Sequence, residues 1–396
     1  MALISSAGVW LCEARPDAQP PINKEQRTAN FCLLFTNAFT AWDTDHDGKL
    51  TYLELSAAIE NPKIHNSQSA VAVAFHDKMI ADNGDNGAYD VTNVLALTDA
   101  VKLAKNSQVQ KKLLGRAWNT GAFEHSLFSL NDPNLLTIRQ DGLGDSCLVS
   151  LIGTFIYHNP QALWVMIAPQ SDGSYKLQFD SGKMIAVAPI TETELMLAGN
   201  QGRRHGIWLS VLEKAYRQFS LETNVEPVLN VIESETTNID LTSRNGRCVL
   251  AINLLTGHEA AEAPMGRWMR EDPTNGLERV HELLTELAQD QQLMCVHTSQ
   301  NLSIPLPAGI PHNHALGILT YDSQTRTVTL FNPRSNQLKP VDPPGLINGY
   351  ATEYGVFKMP LADFVKIFDT FTYETNTFID LVEETAVHSC EMIASR

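Results

Sequence analysis

No two cysteines in this chain are spaced C-x-x-C, which argues against a zinc ribbon or a redox pair. The six present, Cys12, Cys32, Cys147, Cys248, Cys295 and Cys390, are scattered over 396 residues. In a chain of this length that pattern reads as reduced thiols in a reducing, cytoplasmic compartment. No apolar run approaches the ~20 residues of a membrane helix, so no membrane span is expected. The opening stretch MALISSAGVWLCEA has no basic start and an interrupted apolar run, which makes it a poor signal peptide. Basic residues are also scarce: 29 Lys and Arg stand against 45 Asp and Glu, a formal charge of −16. That balance disfavours sequence-independent nucleic-acid binding, which needs clustered cations, and suits cation binding and solubility. Apolar residues, 43% of the chain, suffice for real cores, and the length suits two or three domains.

The first informative stretch is DTDHDGKLTYLE, Asp43 to Glu54. Asp43, Asp45 and Asp47 place carboxylates at the first, third and fifth positions of an EF-hand calcium loop. Gly48 permits the sharp turn, Lys49 needs to offer only its carbonyl, and Thr51 can hold a water. Leu50 points into the hand, and Glu54 closes the sphere with two oxygens. This oxygen-rich set favours Ca²⁺ over Mg²⁺. Upstream, Phe31, Leu34, Phe35, Phe39 and Trp42 lie near one helical stripe. A partner loop is expected at DNGDNGAYDVTN, Asp82 to Asn93, where Gly84 and Asn93 replace ligating side chains. It reads as a structural hand that binds weakly or not at all.

The second stretch is RQDGLGDSCLVSLIGTFIYHNP, Arg139 to Pro160. Apolar residues at 148, 149, 151, 152, 155 and 156 have helical spacing, and Pro160 ends the helix. Ser146 or Cys147 therefore stands at a helix N-terminus, where free N–H groups favour a thiolate. A cysteine nucleophile needs a base and a group that orients the base. Two β-rich runs, His314–Tyr321 and Thr327–Asn332, flank the polar turn DSQTR and predict a hairpin. Pairing Tyr321 with Thr327 sets Leu316 against Asn332, which brings His314 within diagonal reach of Asn332. A neutral amide there can fix the imidazole tautomer. His312 is the rival base.

Taken together, these residues resemble the calpains, papain-like cysteine proteases. QDGLGDSCLVSL is similar to Q-G-x-x-G-D-C-W-[LF]-L, and GIWLSVLEKAYRQ to the W-x-x-L-L-E-K-A-Y helix. INLLTGH resembles E-x-L-T-G-G, NHALGI resembles G-H-A-Y-S-V, and TLFNPRS resembles R-x-R-N-P-W-G. YGVFKMPLADFVKIF resembles G-x-F-W-M-S-x-x-D-F-x-x-x-F, and all of these stand in family order over residues ~125–370. The resemblance implies that His314 is the general base, Asn332 its orienter and Gln140 an oxyanion donor. Its implied substrate is a polypeptide. The expected fold class is α+β. An all-α EF-hand lobe at 20–108 precedes a two-lobed core, with a mainly helical lobe at 112–258 and a mainly antiparallel β lobe at 259–396.

One departure matters most. Gln140 stands six residues before Ser146, and Gly144-Asp145 precede it, so Ser146 fills the nucleophile slot and Cys147 falls where the family has Trp. Three readings are open: Ser146 replaces a native cysteine, a native Ser146 makes the core inactive or slow, or Cys147 attacks. Arg334 also replaces a family Trp. Two further functions are open: a calcium-responsive pseudoprotease that holds peptides, and a transglutaminase-type acyl transferase, against which Asn332 in place of Asp argues.

Overall fold

The computed structural model describes residues 24–82, 94–119, 126–129, 133–140, 146–197, 206–222, 244–298, 305–310, 312, 314–334, 338–340 and 342–378. The N-terminal stretch, Cys12, Cys390, the turn at 141–145 and nearly all of the loop expected at 82–93 lie outside them. About half of the described residues are helical and about a fifth are strand, a mixed α+β composition. No described helix is long and apolar enough to cross a membrane.

The chain forms two compact units. One draws its described residues from Met1–Ser126 and Pro189–Ser210, the other from Leu127–Gln140, Gly144–Ala188 and Val211–Arg396. These units do not follow the three consecutive spans expected. Residues 107–119 form one helix, so the expected 108/112 boundary falls inside it. The segment around 191–197 joins the first unit for a packing reason: Met196 and Leu197 enter its core, and Thr191 Oγ1 donates to Ile59 O at 2.7 Å. The spans 112–258 and 259–396 fall mostly within the second unit rather than forming separate bodies.

In the first unit, α1 (Lys24–Trp42) presents Phe31, Phe35, Phe39 and Trp42 as one buried stripe. Phe75 of α3 (Ser67–Asp82) receives three of these rings edge-on, with centroids 5.4 Å from Phe35, 6.4 Å from Phe39 and 5.9 Å from Trp42. Between these helices lie β1 (Lys49–Thr51) and α2 (Tyr52–Ile59). Following α3 are β2 (Val94–Ala96), α4 (Leu97–Lys105) and α5 (Ser107–Asn119). β1 and β2 pair antiparallel with Leu50 opposite Leu95, both buried. An 82–93 loop equivalent to 43–54 would set Tyr89 opposite Leu50 instead. The apolar residue at 95 fixes the observed register six positions later. Asp99 is engaged by Lys102 Nζ at 2.7 Å.

In the second unit, α6 (Ser146–His158) is buried along nearly its whole length, and it ends just before Pro160, as the apolar spacing predicts. A small antiparallel sheet follows, β3 (Ile167–Pro169), β4 (Tyr175–Gln178) and β5 (Met184–Val187). Then come α7 (Arg244–Thr256), β6 (His258–Ala263), α8 (Pro273–Gln289) and β7 (Met294–His297). The chain continues through β8 (Ala315–Asp322), β9 (Thr327–Phe331), β10 (Thr352–Glu353), β11 (Val356–Pro360), α9 (Leu361–Ile367) and β12 (Phe371–Phe378). Seven strands form one antiparallel sheet in the order β10-β11-β9-β8-β7-β12-β6.

β8 is covered on both faces. Leu316 and Ile318 join the core that holds Val280, Leu284 and Leu287 of α8. The alternate residues, Ala315 and Gly317, face α6, as the two-residue strand period requires. The approach is very close: a Cβ on Gly317 would lie 2.7 Å from both Ser150 O and Thr154 Oγ1. Conversely, a Cβ on Gly153 of α6 would lie 2.5 Å from the Phe331 ring of β9. Two missing side chains thus let the helix lie directly on the hairpin.

The hairpin forms with one difference. Near the turn Tyr321 faces Val328, one residue from the predicted partner Thr327. An irregularity between Ile318 and Thr320 absorbs that residue, and Gly317 faces Phe331 in the predicted register. A bulge therefore restores the alignment of the ends that matter for residues 314 and 332.

Gly317→Ala should lower the stability of the second unit by ~1–3 kcal/mol through overpacking against backbone. Gly345→Ala, where a Cβ meets nothing within 4 Å, should change it by less than about 0.5 kcal/mol. Denaturant midpoints of the two variants measure the contrast.

Candidate functional site

Two constellations carry chemistry, one in each unit. In the first unit, Asp43, Asp45 and Asp47 bring one carboxylate oxygen each within 4.8 Å of the others. The loop turns through His46 (φ 59°) and Gly48 (φ 80°), and Gly48 takes that left-handed backbone without strain. The carboxylates order the loop's own backbone: Asp43 Oδ2 accepts from Gly48 N at 3.1 Å, and Asp47 Oδ1 accepts from Lys49 N at 2.7 Å. Glu54 accepts from Thr44 N and Oγ1 at 2.7 and 2.9 Å and from Thr51 N and Oγ1 at 2.9 and 2.8 Å. Burial works to raise its pKa, but these hydrogen bonds outweigh burial and hold it at about 2. Asp43 Oδ1 is buried with no partner. An ionised oxygen in that state is costly unless a cation meets it, so the donor set fits a hard divalent ion. Lys49 and Thr51 lie on β1, beside the acidic cluster in sequence.

In the second unit, the start of β8 meets the first turn of α6. Ser146 Oγ accepts from Ala315 N at 3.3 Å, and one helical turn later Ser150 Oγ donates to Ala315 O at 3.0 Å. The helix start is thereby clamped to the residue after His314. His314 is 2% exposed, and its Nε2 lies 3.2 Å from Asn332 Oδ1. Its backbone is fixed by Thr298, whose Oγ1 accepts from His314 N at 3.0 Å. Asn332 is itself held: Nδ2 donates to Gly309 O at 3.2 Å, and Oδ1 also accepts from Arg334 N at 3.0 Å. Gln140 N donates to Pro333 O at 2.7 Å, which ties the segment before α6 to the residue after Asn332. Gln140 Oε1 is buried without a partner. His312 is exposed, so of the two candidate bases it is His314 that Asn332 engages.

His314 holds its proton weakly. Burial is the main cause, the positive charge of Arg334 adds to it, and the Asn332 hydrogen bond opposes it; the result is a value near 3 instead of 6.5. The imidazole is thus a neutral ring. If Asn332 Oδ1 accepts from Nε2–H, then Nδ1 carries the free lone pair.

Cys147 is turned elsewhere. One residue along a helix is ~100° of rotation, and its Sγ lies 3.2 Å from His297 Nε2, with Cys248 Sγ 3.9 Å from the same nitrogen. Cys147 is 7% exposed. The hydrogen bond from Cys248 draws its thiol well below the usual range, against burial, while burial pushes the Cys248 thiol up. No sequence pattern pairs Cys147 with His297 or Cys248, which the fold brings to it. The available signal was Cys295 and His297 at alternate positions of a strand, which share a face.

Because the fold favours the neutral His314 ring, that residue's contribution to stability is complete above about pH 6.5. It is lost as pH falls toward about 3, on the order of a few kcal/mol in all. Unfolding free energies between pH 7 and 3 should therefore fall less steeply for His314→Gln than for the parent chain. Arg334→Gln should raise the His314 titration midpoint, read from the imidazole resonances by NMR; an unchanged midpoint would remove Arg334 from the account. No protein-family model and no curated protein matches this chain.

Proposed function

We propose that the second unit is the core of a calpain-like cysteine endopeptidase, held nearly inactive by Ser146, and that the first unit is an EF-hand pair with one calcium-binding loop. The observation that carries the first part is the buried His314–Asn332 pair beside Ala315, whose N–H is held by Ser146 Oγ. A base oriented by a neutral amide, next to a side chain at a helix N-terminus, supports acyl-transfer chemistry. In the corresponding reaction a cysteine thiol at position 146 gives its proton to His314, and sulfur bonds to the substrate carbonyl carbon. The oxyanion takes hydrogen bonds from the Gln140 amide and from the backbone N–H of residue 146. The C–N bond breaks as His314 protonates the amine, and water then releases the acid and restores the thiol.

Serine at position 146 weakens this sequence at its first step, because a hydroxyl is a far weaker nucleophile than a thiolate beside the same imidazole. The neutral His314 beside Arg334 further disfavours an imidazolium partner. These two features favour, as a second reading, a natural pseudoprotease that binds peptides. Cys147 is the less suitable nucleophile, since it is buried and His297 Nδ1 has no orienting partner.

Calcium would be held by Asp43, Asp45, Asp47 and Glu54, with Lys49 giving its carbonyl and Thr51 a water. Bound there, it would offset part of the loop's negative charge and recruit Glu54 from its threonines.

Ser146→Cys should bring peptide-bond hydrolysis of unfolded casein to at least about a hundred times the parent level, and His314→Ala on that background should abolish it. Casein cleavage by the parent chain, with an inert Ser146→Cys protein, would overturn the assignment. Calorimetric titration should find one Ca²⁺ per chain, lost in Asp43→Ala; retained stoichiometry in that variant would remove the loop as the site. Addition of a chelator to the Ser146→Cys protein separates a regulatory ion, which alters turnover, from a structural one, which alters only the melting temperature.

A further inference from the structure

Behind the first turn of α6 lies a second cluster that the protease reading does not use. Cys147 of α6, Cys248 of α7 and His297 of β7 bring two sulfurs and one imidazole nitrogen within 4.8 Å of one another. Cys295, two residues before His297, lies on the same face of β7 and is buried. Among the described residues all three thiols are outside any disulfide. Three separate elements thus direct soft donors at one point inside the unit.

We propose that Cys147, Cys248 and His297 form a site for a thiophilic divalent metal, zinc being the natural occupant, which Cys295 completes to a tetrahedron by a rotation of its side chain. This does not depend on the protease reading. The donor set, three thiolates and an imidazole, is a common structural zinc set. The spacing agrees: Zn–S near 2.3 Å and Zn–N near 2.0–2.1 Å put sulfur and nitrogen about 3.5 Å apart on a tetrahedron edge. The two sulfur–nitrogen distances, 3.2 and 3.9 Å, bracket that value. Without a metal the cluster is poorly satisfied, since His297 Nδ1 is buried and unpaired and Nε2 has only sulfur for company. Charge also balances. Binding releases three thiol protons and leaves a complex of net −1, and Arg247, adjacent to Cys248, has a buried Nε with no partner. The metal would join α6, α7 and β7, fixing the helix start that carries Ser146. The sequence hides such a site, because its ligands are dispersed and only the Cys295–His297 pair is local.

The test uses the full reduced chain with excess Ca²⁺ to occupy the acidic loop of the first unit. Cobalt(II) added to the metal-free protein should give a thiolate-to-cobalt charge-transfer band with the intense visible bands of a tetrahedral site. The band should saturate at one equivalent and be displaced by Zn²⁺. Cys248→Ser should weaken binding at least about 100-fold, whereas Cys32→Ser, in the other unit, should leave it unchanged. Absence of a thiolate band in the parent chain would overturn the proposal whatever the variants do. A band that persists in both Cys248→Ser and His297→Ala would overturn it equally.

Discussion

The close seating of α6 on the β8–β9 hairpin is the constraint on which the second unit depends. Gly153 and Gly317 each leave room for an atom of the opposing element, so the helix backbone approaches the strand more nearly than any side chain would allow. Ser146 and Ser150 then use that proximity to bind both polar groups of the Ala315 backbone. Burial of the apolar face supplies the driving force, while the two serines set where along the strand the helix stops. The position of residue 146 relative to His314 follows from this docking, one residue along the strand from the clamped peptide.

The same burial sets the chemistry. A ring enclosed as fully as His314 stays neutral, and Arg334 reinforces that state. Asn332 can orient such a ring without demanding a charge on it, which a carboxylate in its place would do. The resulting pair favours a neutral ring over a resting ion pair. Position 147 belongs to a different environment altogether, because the helix turns it toward α7 and β7. Two adjacent residues therefore face two different environments.

Much of this was legible in the sequence where the pattern was local. The apolar spacing of 148–156 located α6, and the aromatic stripe from Phe31 to Trp42 located α1. The hairpin was legible through its turn, and its functional end has the predicted register only because a bulge near Leu319 absorbs a one-residue shift. The expected partner loop lies almost wholly outside the described residues, and the strand pairing beside it is marked by Leu95, an apolar residue with no liganding signature. The membership of residues 191–197 in the first unit, and the convergence of Cys147 with Cys248 and His297, depend on contacts across more than a hundred residues. No periodicity encodes such contacts.

The central claim is that residue 146, rather than 147, faces His314 and a bound carbonyl. Its most direct measurement is labelling of the Ser146→Cys protein with a peptidyl electrophile that alkylates an active-site thiol, followed by peptide mapping. The account predicts modification confined to position 146, dependent on His314 and suppressed by competing peptide. Modification at Cys147, or labelling at 146 that is indifferent to His314, would contradict it.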